Sequence, residues 1–78
     1  SGRKMEVYTD LPGMQLYGGN YINEGLVGKG GCTYGKRYGV AFETQYFPNA
    51  INLPSFPQPV EKAGETVKTS TVYKFTTV

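Results

Sequence analysis

Few residues in this chain are able to do chemistry. There is no histidine and a single cysteine, Cys32. A lone thiol cannot build a zinc site, so no metal site is expected. With no histidine to take its proton, Cys32 reads as an inert free thiol and not as a nucleophile. The glycine loop Gly28-Lys29-Gly30-Gly31 lacks the spacing and the following helix of a phosphate-binding loop, and it reads as a plain loop. Glu43 remains. It sits in Val40-Ala41-Phe42-Glu43-Thr44, and a positioned carboxylate can take a proton from a substrate and return it. Taken alone, it is an ordinary solvent-side glutamate. Gln15, in Met14-Gln15-Leu16-Tyr17, likewise reads as a surface strand residue. Tyr17 and Phe47 could stack on a ligand face, but aromatics in β-proteins more often simply pack.

Strands must hold these side chains, because no segment shows a helical period. Met5-Glu6-Val7-Tyr8-Thr9 is short and β-rich. Asp10-Leu11-Pro12-Gly13 follows it, with Pro and Gly in the order that suits the centre of a type II turn. Met14 to Tyr17 then reads as the return strand. Residues 20 to 38 are loop-like, with six glycines between Gly25 and Gly39. Val40 to Thr44 is the next strand, with Val40 and Phe42 on one side and Ala41 and Glu43 on the other. Four prolines between Tyr46 and Pro59 exclude a regular element there, which predicts a long ordered loop or cover. Ala63-Gly64-Glu65 forms a turn. Val67 to Val78 has no Gly or Pro and predicts one strand of about 40 Å, far longer than usual. Its neighbours are expected to lie outside this chain. The fold class is all-β, with mainly antiparallel strands.

The 78 residues suit at most one small domain, which would bury only about 60% of the surface its unfolded chain exposes. No internal disulfide can form from one cysteine. A free thiol points to a reducing compartment and a cytoplasmic setting. The net charge is +2 and the basic residues are scattered among acidic ones, so nucleic acid is not an expected partner. No apolar run approaches a membrane span, so no membrane is expected either. Glycine (11) and tyrosine (7) are abundant, a composition that suits pleated, half-buried surfaces.

Seven pieces, in unbroken order, resemble the aldose 1-epimerase (galactose mutarotase) family. Ser1-Gly2-Arg3 with Met5 to Thr9, then Pro12-Gly13-Met14-Gln15-Leu16-Tyr17, are similar to S-G-R-x-hydrophobic-E-V-x-T and P-G-x-Q-x-Y. Gly19-Asn20-Tyr21 and Gly28-Lys29-Gly30-Gly31 resemble G-N-aromatic and G-K-G-G. Phe42-Glu43-Thr44-Gln45 resembles the hydrophobic-E-T-Q hallmark. Phe47-Pro48-Asn49-Ala50-Ile51-Asn52 with Pro54-Ser55-Phe56-Pro57 resembles the segment that follows it. Gly64-Glu65 and Tyr73-Lys74-Phe75 resemble the closing G-E and aromatic-K-F.

The resemblance implies that residues 1-78 are the C-terminal segment of a single epimerase domain, part of a galactose-mutarotase-like β-supersandwich, with the N-terminal part absent. It implies interconversion of the α and β anomers of aldohexoses such as galactose or glucose, without cofactor. Ring opening requires a base at the C1 hydroxyl and an acid at the ring oxygen, each contributing typically 10²–10⁴-fold. By resemblance the base is Glu43, and Gln15 contacts the sugar, with Tyr17 a weaker contact. The family's acid is a histidine, which this chain lacks, so the chain alone is expected to be incomplete and inactive. The alternative is a non-catalytic or phosphosugar-acting carbohydrate-binding relative of the same fold. It is motivated by departures from the family pattern at Gly18, Gly35, Arg37, Asn49 and Leu53. None of these touches Glu43 or Gln15.

Overall fold

The computed structural model describes all of residues 1–78. It contains six strands: β1 (Arg3–Thr9), β2 (Gly13–Tyr17), β3 (Leu26–Val27), β4 (Thr33–Tyr34), β5 (Ala41–Gln45) and β6 (Thr71–Thr77). Two single 3₁₀ turns interrupt the loops, at Lys29–Gly31 and Ala50–Asn52. The all-β, antiparallel expectation holds. The pairing is nested, with β1 on β6, β2 on β5 inside it, and β3 on β4 innermost.

The nesting corrects the expected hairpin between β1 and β2. Those two strands do not pair. Gly13 is absent from the positive-φ residues, so no type II turn is centred on Pro12-Gly13. Gly13 instead opens β2, and a Cβ placed on it would lie 2.6 Å from the Phe47 ring. The glycine is needed for close approach of an aromatic ring, not for a turn.

The long final strand is also corrected. Regular pairing covers only Thr71–Thr77, because β1 offers seven partners and then leaves at Asp10. Beyond Thr71 the Asp10 side chain still accepts a hydrogen bond from the Ser70 N–H at 2.9 Å. β5 begins at Ala41 and not at Val40, and runs one residue further, to Gln45.

Alternation gives the β1–β6 ribbon two unlike faces. Met5, Val7, Tyr73 and Phe75 share one face, while Lys4, Glu6 and Lys74 share the other. Glu6 pairs with Lys4 at 3.3 Å and with Lys74 at 3.7 Å. Its carboxylate also raises the Tyr8 phenol above its ordinary value, through charge first and a hydrogen bond second.

The proline-rich segment is a long loop, as expected, but it carries one 3₁₀ turn, Ala50–Asn52, where no regular element was expected. Phe47 and Phe56 meet with ring centroids 5.0 Å apart. The Gln58 carboxamide lies 2.7 Å from the Ala50 carbonyl and 3.0 Å from those of Leu53 and Phe56. Its two N–H groups are shared among three acceptors. Asn49 takes the left-handed conformation at φ 61°, which asparagine tolerates. Ala50, 2% exposed, is the one buried apolar residue. The Cα radius of gyration is 16.6 Å, against about 11.5 Å for a compact domain of this length.

Candidate active site

β2 and β5 bring the sequence-predicted site residues together. Gln15 pairs with Glu43, and Tyr17 pairs with Ala41. Residues opposite one another in an antiparallel pair project to the same face, and alternate residues share it. Gln15, Tyr17, Glu43 and Gln45 therefore line one face of the ribbon. Met14, Leu16, Phe42 and Thr44 line the other.

Two aromatics bracket the Gln15–Glu43 pair. Tyr17 stands at one end. At the other end the Phe47 ring occupies the space over Gly13 that a side chain would fill. Gly13 and Tyr17 are four strand positions apart, about 13 Å. The space between them is floored by the carboxamide and the carboxylate.

The Glu43 side chain is exposed. Both ion pairs of the chain fall on Glu6, so the Glu43 carboxylate has no cationic partner here. Gln15 turns its amide nitrogen back to the Leu16 carbonyl at 3.1 Å. Its side chain is thus placed beside Glu43 but not bonded to it. The Tyr17 hydroxyl accepts a hydrogen bond from the Tyr21 N–H at 2.9 Å. That bond ties the end of β2 to the loop after it, a structural role that sequence reading did not assign.

A cavity of about 250 Å³ opens at this end, lined by Tyr17, Gly19, Ile22, Gly39, Val40 and Ala41. Gly19 has φ 72°, and a Cβ there would meet the Gly39 carbonyl at 3.0 Å. Its own carbonyl accepts the Arg37 N–H at 3.0 Å, and Arg37 Nε donates to the Asn20 side chain, also at 3.0 Å. Arg37 is thus the clamp of the loop beside Tyr17, though sequence reading saw it only as a departure from a pattern. A larger hollow of about 400 Å³ lies against the β3–β4 hairpin, and no residue of β2 or β5 lines it.

Sequence reading also missed what lies behind the site. Thr44 Oγ1 is 2.6 Å from Thr71 Oγ1, and the Tyr73 hydroxyl donates to the Phe42 carbonyl. The position of Thr44 beside Glu43 was a signal, but its partner lies 27 residues away.

The arrangement is a carboxylate and a carboxamide on an open face between two aromatic rings, groups able to hydrogen-bond hydroxyls and, at Glu43, to accept a proton. No group of three or more His, Cys, Asp or Glu residues could hold a metal. No helix is long and apolar enough to cross a membrane. Among known proteins, the family model described as "Aldose 1-epimerase" matches residues 1–74. The chain belongs to the aldose 1-epimerase family. It is 47% identical over 75 residues to a "Galactose mutarotase" of Bos taurus, and 45% identical to that of Homo sapiens. Each alignment covers 96% of this chain and 22% of the relative. It is 34% identical over 74 residues to an "Aldose 1-epimerase" of Escherichia coli (strain K12), covering 92% of this chain and 21% of that protein. The chain therefore spans about a fifth of the length of the curated relatives it matches.

Proposed function

We propose that this chain is the C-terminal segment of an aldose 1-epimerase that interconverts the α and β anomers of an aldohexose such as galactose or glucose. In this reading it forms part of a β-supersandwich completed by the N-terminal part of the same protein. Glu43 is the general base. It takes the proton of the C1 hydroxyl while an acid protonates the ring oxygen. The C1–O5 bond breaks, the aldehyde turns about C1–C2, and the ring recloses on the other face as both protons return. The family resemblance makes the acid a histidine, and these 78 residues contain none, so in this reading the acid comes from outside them. Gln15 hydrogen-bonds a sugar hydroxyl, and Tyr17 bounds the ring at one end. The single exposed thiol, Cys32, is in keeping with a reducing, cytoplasmic setting.

The observation that carries the reading is the register pair Gln15–Glu43. It sets the proton acceptor and a neutral hydrogen-bonding group side by side on one open face. The test is Glu43→Gln in the full protein that carries this chain, followed by polarimetry of freshly dissolved α-galactose and α-glucose. Removal of a positioned base lowers kcat by about 10²–10⁴-fold. A variant that mutarotates both sugars at the unmodified rate overturns the assignment.

A further inference from the structure

Glu43 is exposed and its carboxylate meets no cation, so nothing at the tip of the side chain fixes where it points. Its position is set by the β5 backbone. On one side β5 is held by the ladder to β2. On the other it is held by β6, and both side-chain bonds land on the immediate neighbours of Glu43. The Tyr73 hydroxyl meets the Phe42 carbonyl, and Thr71 Oγ1 meets Thr44 Oγ1 at 2.6 Å. Because side chains alternate, Thr44 projects away from the Glu43 face. The tether thus grips the strand from behind and leaves the front open.

Thr71 is itself anchored. Its hydroxyl lies 3.2 Å from that of Thr9, its register partner on β1. Thr9 Oγ1 lies 3.1 Å from the Ser70 carbonyl and accepts the Leu11 N–H at 3.1 Å. One order uses every contact: Thr44 donates to Thr71, Thr71 to Thr9, and Thr9 to the Ser70 carbonyl. Each hydroxyl then gives its single proton and accepts at least one, apart from Thr44 at the head of the chain. Such chains strengthen one another and fix geometry more firmly than isolated bonds.

We propose that Thr71 is a positioning residue for the reaction: through Thr44 it holds Glu43 at the height on β5 from which it reaches the C1 hydroxyl. This rests on Glu43 being the base. The test is kinetic, in the full protein. Thr71→Val keeps the branched shape and removes the hydroxyl. It is expected to lower kcat by roughly tenfold or more, as small misplacements of a catalytic group do. KM should stay within about twofold, since the groups that hold the sugar are untouched. Thr71→Ser, which restores the hydroxyl, should recover most of the rate. Melting temperatures of both variants separate this from a general loss of fold. Wild-type kcat in Thr71→Val, or a fall in kcat matched by a loss of folded protein that Thr71→Ser does not repair, overturns the positioning role. An inactive Glu43→Gln alongside a fully active Thr71→Val sinks this inference alone. A fully active Glu43→Gln sinks the base assignment, and the role of Thr71 with it.

Discussion

Gln15 and Glu43 are register partners across β2 and β5, although 27 residues separate them in sequence. Directly opposed side chains in an antiparallel pair start about 4.5–5.5 Å apart at Cβ. A ligand hydroxyl between them can meet both. The Gln15 carboxamide now bonds its own strand, at the Leu16 carbonyl. That bond lies at the exposed surface, where another acceptor can replace it.

The first prediction follows from this division of roles. Gln15→Leu keeps much of the bulk of the side chain and removes its hydrogen bonds. Losing one neutral hydrogen bond costs about 1 kcal/mol, or roughly fivefold in affinity. KM for the aldohexose should rise by about that factor in the full protein, with kcat falling less than in Glu43→Gln. Steady-state mutarotation kinetics check it. A Gln15→Leu protein with unaltered KM would place the sugar elsewhere on the face.

Gly13 and Phe47 supply the second. A Cβ on Gly13 would lie 2.6 Å from Cε1 and 2.7 Å from Cδ1 of Phe47. Gly13→Ala must therefore push the ring off β2, and Phe47 cannot move without disturbing Phe56, which it touches. Overpacking of this kind costs about 1–3 kcal/mol. Urea denaturation of the full protein should show that loss. Phe47→Leu frees the space, so the double variant should be less destabilised than the two single changes together. Strict additivity would mean that the ring does not lie over Gly13.

Much of this was legible in the residues, and the misses share one cause. The strands around Gln15 and Glu43 showed as alternating runs, and the proline-rich cover showed through its missing N–H donors. What could not be read was who pairs with whom. Pro12-Gly13 carries ordinary turn chemistry, yet Gly13 is extended because a ring more than 30 positions later lies against it. The run from Val67 to Val78 has strand propensity throughout, yet it is strand only where β1 faces it. The Thr44–Thr71 bond is likewise a property of the nesting, since neither residue signals its partner. Local propensity reports what a segment tolerates, and long-range pairing decides what it does.

The third prediction concerns the 78 residues as an isolated chain. A compact protein of 8.6 kDa exposes about 4,700 Å², and its unfolded chain about 12,500 Å². This chain exposes 6,551 Å². Folding therefore removes just under half of the unfolded surface from water, against the roughly 60% typical of a domain this small. Only 3 of 78 residues are buried, while Leu16 is 57% and Phe75 75% exposed. Burial is the main favourable contribution to folding, and backbone entropy opposes it at about 1–2 kcal/mol per residue. Part of the exposed apolar surface lies on strands, at Met14 and Leu16 of β2 and Phe75 of β6, and much of the rest lies in loops, at Tyr21, Tyr38, Ile51 and Val60. The isolated chain should accordingly show a broad, non-cooperative thermal transition by circular dichroism. It should also associate as its concentration rises, because ribbons of two strands leave edges free to pair. A sharp, reversible, concentration-independent melt of a monomer would mean that the two ribbons close on each other in solution and need no further layer.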